Sequence, residues 1–332
     1  MKKLINDPFE VTAEALEGFV AAFPRQVRRV GAQSVVRQGA PISGKVGVIF
    51  GGGSGHEPLF MGYLGSGLAD GCPVGNIFAS PSSGIILDAI RAVSSGAGVL
   101  LMYGNYSGDV MNFDMAAEMA KKEGIRTETV RITDDVASAP LDQKERRRGI
   151  AGDFFVLKVA GACADSNGDL DQVHAAAARA NDNTRSMGVA RSSCTIPASG
   201  RPIFELGDDE MEIGLGIHGE PGERRQKLLP ADQITDILAD RLLRDPLFQA
   251  GDEVAVLVNG LGATPLAEQF IVFRRLAQLL DSAKIHIHRS YVGEYSTSLE
   301  MAGCSVTLMR LDDELRRWLD WPAHSPYFTQ VD

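Results

Sequence analysis

The sequence predicts an α/β protein of two α/β domains, each with a largely parallel or mixed sheet flanked by helices. The chain has 332 residues, which is long enough for two separate cores. Between residues 45 and 131, strand-like apolar runs alternate with helix-like segments, a rhythm typical of a parallel sheet covered on both faces. A second α/β unit begins near residue 188. We therefore expect one domain over 1–187 and another over 188–332.

The elements follow one another in a regular order. Residues 8–40 predict a helical lead-in and then a mobile connection that contains arginines. The predicted strands are 45–50, 74–79, 98–103 and 125–131 in the first domain, and 188–196, 211–217, 254–258, 284–291 and 304–310 in the second. The predicted helices are 58–66, 82–95, 109–123, 152–165, 170–187, 232–244, 265–280 and 312–319.

The first predicted strand runs into the glycine-rich stretch Gly51–Pro58, which carries one histidine, His56. Glycines let the chain turn sharply and bring N–H groups close to a ligand, and Pro58 suits the first turn of a helix. Ligands of open α/β sheets bind beyond the carboxyl ends of the strands. The pattern therefore indicates a small-ligand site in which His56 does acid–base work.

Other interpretations of the first loop stay open. No Lys-Ser or Lys-Thr pair follows the glycines, so the stretch is not a P-loop. A dinucleotide fingerprint would have a third glycine at His56, although Asp70 lies at a plausible spacing for a ribose contact. A purely structural turn is the remaining alternative.

Two further loops resemble the first in composition. Ala79–Gly84 and Gly104–Asp109 are rich in glycine and hydroxyl groups and follow the second and third predicted strands. Parallel topology would place all three loops at one edge of the sheet, around one cavity. Asp109 is either a helix N-cap, where aspartate is preferred, or a carboxylate that faces His56.

The second predicted domain also has a histidine at a glycine-bounded strand end, His218 in Gly214–Gly222. His286 and His288 lie two residues apart in a predicted strand, so they share a face. Both a metal site and an ordinary strand face fit that spacing. The charged run Lys144–Arg148 predicts either a solvated face or a docking site for an acidic partner.

Composition excludes several classes of function. Lys plus Arg number 33 against 43 Asp plus Glu, a net charge of −10, which argues against binding to nucleic acid or to anionic membranes. No signal-peptide core and no apolar run approaching 18 residues is present. The cysteines are too far apart for a zinc site and predict reduced, partly buried thiols in a cytoplasmic protein; they are Cys72, Cys163, Cys194 and Cys304.

Several motifs in a fixed order extend over nearly the whole chain. They are Met1–Asn6, Gly51–Pro58, Gly104–Phe113, Arg147–Gly152, Gly216–Gly222, Leu257–Pro265, Ser298–Gly303 and Leu311–Leu315. With these motifs the chain resembles the substrate-binding K subunit of dihydroxyacetone kinases. The resemblance implies a homodimer in which His218 attacks the ketone carbon and holds it as a hemiaminal. It also implies that His56 and Asp109 act on the hydroxyl to be phosphorylated.

The resemblance further implies a substrate pocket and a division of labour between proteins. The expected substrate-binding residues are Gly53, Ser54, Gly55, His56, Gly104, Asp109 and His218. This chain would bind no nucleotide and no metal. A separate L subunit would carry Mg-ADP, rephosphorylated by a phosphotransferase-system protein, or exchangeable Mg-ATP. Imidazole is a nucleophile when neutral, and an adduct at the carbonyl would reject glycerol, which has no ketone.

One position departs from the family pattern and leaves the substrate open. Many of these subunits have a lysine where this chain has Gly104, before Asn105-Tyr106. The loss of an ammonium and the gain of space would suit a four-carbon ketose such as erythrulose as well as dihydroxyacetone. A non-catalytic sensor working with a transcription factor is the alternative from another class. A lipid carrier is disfavoured, because an acyl chain needs an apolar tunnel and the paired loops are polar.

Overall fold

A computed structural model describes residues 2–331. The helices are α1 Val11–Ala22, α2 Ser83–Val93, α3 Ser107–Lys122, α4 Asp153–Asp165, α5 Leu170–Asp182, α6 Ala231–Leu243, α7 Leu266–Ser282 and α8 Asp313–Asp320. The strands are β1 Val27–Val30, β2 Ser34–Arg37, β3 Gly47–Phe50, β4 Gly52–Ser54, β5 Gly71–Ile77, β6 Val99–Gly104, β7 Thr127–Ile132, β8 Thr184–Ala190, β9 Thr195–Ile196, β10 Arg201–Pro202, β11 Glu210–Ile213, β12 Arg224–Lys227, β13 Glu253–Gly260, β14 His286–Gly293, β15 Gly303–Leu311, β16 Ala323–His324 and β17 Thr329–Gln330.

The described residues form two compact units, and both are α/β, as predicted. The His56 unit contains residues 2–132, 155–180 and 315–331, and the His218 unit contains residues 133–154 and 181–314. The expected boundary at 187/188 falls inside β8. Long-range contacts explain why later segments belong to the His56 unit. Asp165 of α4 pairs with Lys45 and Arg37, and the His324 N–H donates to the Ser66 carbonyl at 3.0 Å.

The main sheet of the His56 unit has the strand order β1-β2-β5-β3-β6-β7, with β4 paired to β5. The pairs β5–β3, β3–β6 and β6–β7 are parallel, so the carboxyl ends of β3, β5 and β6 meet at one edge. Side chains of the sheet such as Ile49 and Leu101 share a core with Ile90 of α2 and Phe113 of α3. The predicted common edge for the three loops is confirmed.

Two expectations for this unit are wrong. The segment after α1 is not a mobile connection, since β1 and β2 pair as an antiparallel hairpin. Residues 58–66 do not form an α-helix: a 3₁₀ turn at Met61–Tyr63 follows a cis Glu57–Pro58 peptide bond. The reason lies in close tertiary packing. Gly65 lies so close to the backbone of His324 that a side chain there would overlap it.

The sheet of the His218 unit has the order β12-β11-β8-β15-β13-β14 and is mixed, with one parallel pair, β13–β14. Its core joins Val256 and Leu308 of the sheet to Leu238 of α6 and Leu276 of α7. The predicted helix over 170–187 extends too far, because α5 ends at Asp182. The following strand β8 is buried between β11 and β15, and this pairing overrides local helical preference.

Two further expectations concern the surface and the membrane. Within residues 2–331 no helix combines the length and apolar character needed to cross a membrane. His286 and His288 are both exposed in β14, where the pairing with β13 shifts register between Ile287 and Arg289. Over the same residues, no group of three or more metal-ligating side chains is clustered as a metal site.

Candidate functional site

The loop between β3 and the 3₁₀ turn is shaped by glycines that have no room for a side chain. A Cβ at Gly51 would lie 2.6 Å from the Pro73 carbonyl oxygen, and one at Gly53 would lie 2.7 Å from the Ala79 nitrogen. Ser54 fastens the loop to its neighbours: its hydroxyl donates to the Gly75 carbonyl at 2.7 Å. This close approach of backbone to backbone is the physical reason for the glycine run.

His56 lies at the end of this loop and is only 2% exposed. Its imidazole stacks on the Phe78 ring, with centroids 4.9 Å apart and planes 20° from parallel. Phe60 lies edge-on to it at 6.5 Å. Phe78 has a left-handed backbone, φ +56°, and its N–H donates to the Ser54 carbonyl at 2.9 Å. The loop that follows β5 therefore restrains the plane of the His56 ring.

Gly55 connects Ser54 to His56 with a backbone, φ +100°, that favours glycine. Its N–H is directed at the Glu57 carboxylate, whose oxygens lie 3.0 and 3.2 Å away. The expected pocket backbone at Gly53, Ser54 and Gly55 is thus held by side-chain and backbone contacts.

Asp109 belongs to the first turn of α3 and is 9% exposed. The N-cap residue is Tyr106, so the N-cap interpretation of Asp109 is wrong; a carboxylate in a first helical turn is still stabilised by the helix dipole. Burial raises the pKa of Tyr103 to about 12, and the nearby Asp114 and Asp109 carboxylates act in the same direction. Both carboxylates therefore lie near Tyr103, the residue before the last of β6.

Sheet register brings the His56 loop and the Asp109 turn to neighbouring positions. Phe50, the last residue of β3, lies opposite Met102 in the adjacent parallel strand β6. Gly104 is the buried last residue of β6, and its carbonyl accepts a hydrogen bond of 2.7 Å from the Tyr106 N–H. The loops that carry His56 and Asp109 thus follow adjacent strands at one sheet edge, as the sequence predicted.

His218 lies on the connection of a hairpin and not on a strand-to-helix turn. β11 ends at Ile213 and pairs antiparallel with β12, a strand that the sequence analysis missed. Positive φ values at Gly214 and Gly219 bend the connection. The Ser298 hydroxyl donates to the Ile217 carbonyl at 2.5 Å, which anchors the residue next to the histidine.

Glu220 contacts His218 through both of its carboxylate oxygens. Its Oε1 lies 3.1 Å from His218 Nδ1, and its Oε2 accepts the His218 backbone N–H at 3.0 Å. A carboxylate accepts hydrogen bonds, so it places the ring proton on Nδ1 and the lone pair of the neutral ring on Nε2. The His218 side chain is 22% exposed. The geometry suits a nucleophile that attacks through Nε2.

The charged run Lys144–Arg148 is only partly solvated. Lys144 and Arg146 are exposed, but Arg147 is buried near Asp245 and Arg148 pairs with Asp135. The solvated-face interpretation is therefore wrong for the last two arginines. The sequence analysis also gave no role to Glu220, Ser298 or Phe78. Glu220 stands two residues after His218 in the glycine loop, which is the one local signal that could have identified it.

Comparison with known proteins identifies the family of this chain. The family model of the Dak1 domain matches residues 17–327. The chain belongs to the Dak1 family. It is 50% identical to the dihydroxyacetone-binding subunit DhaK of the PTS-dependent dihydroxyacetone kinase 2 from Listeria innocua, over 99% of each chain. It is 46% identical to the D-erythrulose kinase of Mycolicibacterium smegmatis, over 99% of this chain and 56% of that one.

Solved structures agree with this Dak1 assignment. The dihydroxyacetone kinase of C. freundii superimposes with a TM-score of 0.90 at 33% identity, over 99% of this chain and 60% of that one; it has also been solved with AMP-PNP and Mg²⁺. The dihydroxyacetone kinase operon co-activator DhaQ superimposes with a TM-score of 0.90 at 31% identity, over 98% and 100%. The Dak1 fold is therefore shared by kinases and by a co-activator.

Proposed function

We propose that this Dak1 chain is the substrate-binding subunit of a dihydroxyacetone kinase or of a closely related short-chain ketose kinase. The observation that carries the proposal is the 50% identity to a dihydroxyacetone-binding subunit along 99% of both chains. The two histidine loops supply groups of the right chemistry: an imidazole oriented by a carboxylate at His218, and a buried histidine at His56, whose loop follows the strand next to the one that leads to Asp109.

His218 is the proposed nucleophile. Its Nε2 lone pair forms a bond to the ketone carbon, and the carbonyl π pair moves to oxygen, which takes up a proton. The ring gives up its Nδ1 proton, so the net change is addition of N–H across C=O. Glu220 stabilises the positive charge that the ring carries between these proton transfers. The adduct fixes a small, flexible ketose that offers few contacts of its own.

His56 and Asp109 are proposed to act on the hydroxyl that receives the phosphoryl group. A hydroxyl is a weak nucleophile until a base takes its proton. As that proton moves to the base, the oxygen–phosphorus bond forms and the bond from phosphorus to its donor breaks. The stacked Phe78 ring restrains the plane of the His56 ring for this transfer. The backbone at Gly53, Ser54 and Gly55 and the end of β6 at Gly104 are the proposed walls of the pocket.

The phosphoryl donor is proposed to be Mg-nucleotide on an L subunit. Relatives described as PTS-dependent favour ADP that is rephosphorylated by a phosphotransferase-system protein; exchangeable Mg-ATP is the alternative. The resemblance also supports a homodimer. We propose that neither nucleotide nor metal is held by this chain.

A four-carbon ketose is the second candidate substrate. The family resemblance implies that Gly104 replaces a lysine, and erythrulose kinases are 42 to 46% identical to this chain. The hemiaminal chemistry is the same for both ketoses, because each has a carbonyl flanked by hydroxymethyl or hydroxyalkyl groups. The two ketoses differ in size, so the space at the end of β6 is the feature proposed to discriminate between them.

The function is tested by reconstitution. The pure chain with Mg-ATP and dihydroxyacetone or erythrulose should give no multiple turnovers, whereas addition of an L subunit with its donor should yield ketose phosphate. Multiple turnovers by the chain alone would contradict the proposed division of labour. Ketone capture without transfer in the complete system would favour a sensor like the co-activator, and the partner to seek would then be a transcription factor.

A further inference from the structure

Glu220 does not hold His218 alone, because an arginine from a distant part of the sequence lies behind its carboxylate. Arg148 Nη1 is 3.8 Å from Glu220 Oε2. The same guanidinium donates through Nη2 to the Gly214 carbonyl at 3.3 Å, at the start of the His218 connection. Arg148 thus contacts both the carboxylate that orients the imidazole and the backbone that carries it.

Hydrogen bonds hold both the guanidinium and the backbone of Arg148. Its Nε and Nη2 lie 3.0 and 2.8 Å from Oδ2 of the buried Asp135, and its side chain is only 14% exposed. Its backbone N–H donates to the Ser138 hydroxyl at 3.0 Å, and its carbonyl accepts the Asp135 N–H at 3.1 Å. A guanidinium held this way is a rigid support, since charge-assisted hydrogen bonds combine energy with fixed geometry.

Gly216 provides the space in which these two charged groups face each other. A Cβ at this position would overlap Glu220 Oε2 and lie 2.6 Å from Arg148 Nη1. The glycine loop therefore serves to bring a carboxylate and a guanidinium against its backbone, in addition to bending the chain.

The electrostatics agree with this geometry. Burial alone would raise the pKa of Glu220, but the His218 hydrogen bond and charge and the Arg148 charge lower it to about 2. The carboxylate is therefore ionised throughout the neutral pH range. In that form it accepts a hydrogen bond from a ring nitrogen that carries a proton.

We propose that Arg148, anchored by Asp135, is a positioning residue that holds the Glu220 carboxylate against His218 Nδ1 and thereby keeps the imidazole in the tautomer that attacks through Nε2. This inference deepens the proposed function and rests on it for the consequence in ketone capture. The consequence for the tautomer can be measured without any ligand.

The first readout is the ring-nitrogen NMR of full-length, histidine-¹⁵N-labelled protein, with His218→Ala used for assignment. We expect His218 of the wild type to be protonated on Nδ1, and Arg148→Met to shift a measurable fraction to the Nε2–H tautomer. Arg148→Lys, which keeps the charge but loses the planar fork, should fall between them. Glu220→Gln should shift the tautomer at least as far as Arg148→Met.

The second readout is capture of ¹³C-carbonyl dihydroxyacetone, seen as conversion of the ketone signal to that of a hemiaminal carbon. Arg148→Met should lower the capture equilibrium by about tenfold or more, with partial recovery in Arg148→Lys. The matched control is Arg274→Met, which removes an arginine of α7 that pairs with Asp232 of α6. The control should leave both readouts unchanged.

Arg148→Met leaves Asp135 buried without its counter-charge, which can destabilise the fold. The double variant Arg148→Met/Asp135→Asn removes that charge and should show the same tautomer shift. A folded Arg148 variant with the wild-type tautomer and wild-type capture would overturn the proposal. If the wild type captures no ketone, the proposed function fails, while the tautomer shift still decides the role of Arg148.

Discussion

Gly53→Ala is the substitution that most directly tests the construction of the His56 loop. The added Cβ would lie 2.7 Å from the Ala79 nitrogen and 3.1 Å from both the Ala79 oxygen and the Phe78 carbonyl carbon. All three atoms are backbone, so no side chain can move aside. Optimal contacts between heavy atoms lie near 3.5–4.0 Å, so the 78–79 peptide must retreat by roughly 1 Å.

The displaced peptide carries Phe78, whose ring stacks on His56. Overpacking of this kind typically costs about 1–3 kcal/mol of stability, and a misplacement of ~1 Å in a reacting group can cost ~10²-fold in rate. We therefore expect Gly53→Ala to fold with a lower melting temperature and to transfer phosphoryl groups about 100-fold more slowly. Ketone capture should fall by less, because His218 does not depend on this loop in the proposed mechanism.

The matched control is Gly84→Ala in α2, where no heavy atom lies within 4 Å of the added Cβ. Alanine is favoured over glycine inside a helix, so this variant should be as stable as the wild type or slightly more so. Both proteins are compared by thermal unfolding, by capture without the L subunit and by transfer with it. If Gly53→Ala matches Gly84→Ala within twofold in transfer and within 1 °C in melting, the packing argument is refuted.

Two further predictions concern pH and substrate. Burial raises the pKa of Asp135 from 3.8 to about 6, despite the opposing Arg148 charge. Between these two pH values the folded state therefore binds a proton that the unfolded state has released. Because of this difference, the free energy of unfolding should fall by about 3 kcal/mol as pH rises from about 4 to 6. Urea unfolding at several pH values should show a smaller slope for Asp135→Asn than for the wild type; an equal slope in both proteins would contradict the assignment. Gly104→Lys should shift kcat/KM from erythrulose toward dihydroxyacetone, and a wild-type preference for the triose of ~100-fold would refute the extra-space argument.

The sheet edge that carries His56 and Asp109 could be predicted because its signals are local. Apolar β-branched runs end in glycine and hydroxyl clusters, and alternation with helices forces parallel strands whose carboxyl ends coincide. The structure adds the reason for the glycines: the backbone at Gly53 packs against the backbone at Ala79. No sequence pattern shows that contact, because it joins two loops.

The parts that could not be predicted depend on tertiary contacts. Residues 58–66 have the start signal of a helix, yet Gly65 packs on the backbone of His324, far along the chain. Arg148 belongs to a charged run that the sequence predicts to be solvated, yet its side chain pairs with Asp135 and Glu220 and is only 14% exposed. The hairpin strand β12 has a charged, exposed sequence without apolar alternation, and its partner β11 determines it.

The central claim is that His218 captures the ketone while His56 and Asp109 serve the transfer. The most direct measurement is ¹³C NMR of carbonyl-labelled dihydroxyacetone with the wild type, His218→Ala and His56→Ala, followed by transfer assays with the L subunit. We predict a hemiaminal signal in the wild type and in His56→Ala, none in His218→Ala, and transfer by His56→Ala slowed by ~10²–10⁴-fold. A hemiaminal that persists in His218→Ala and disappears in His56→Ala would reverse the roles and contradict the account.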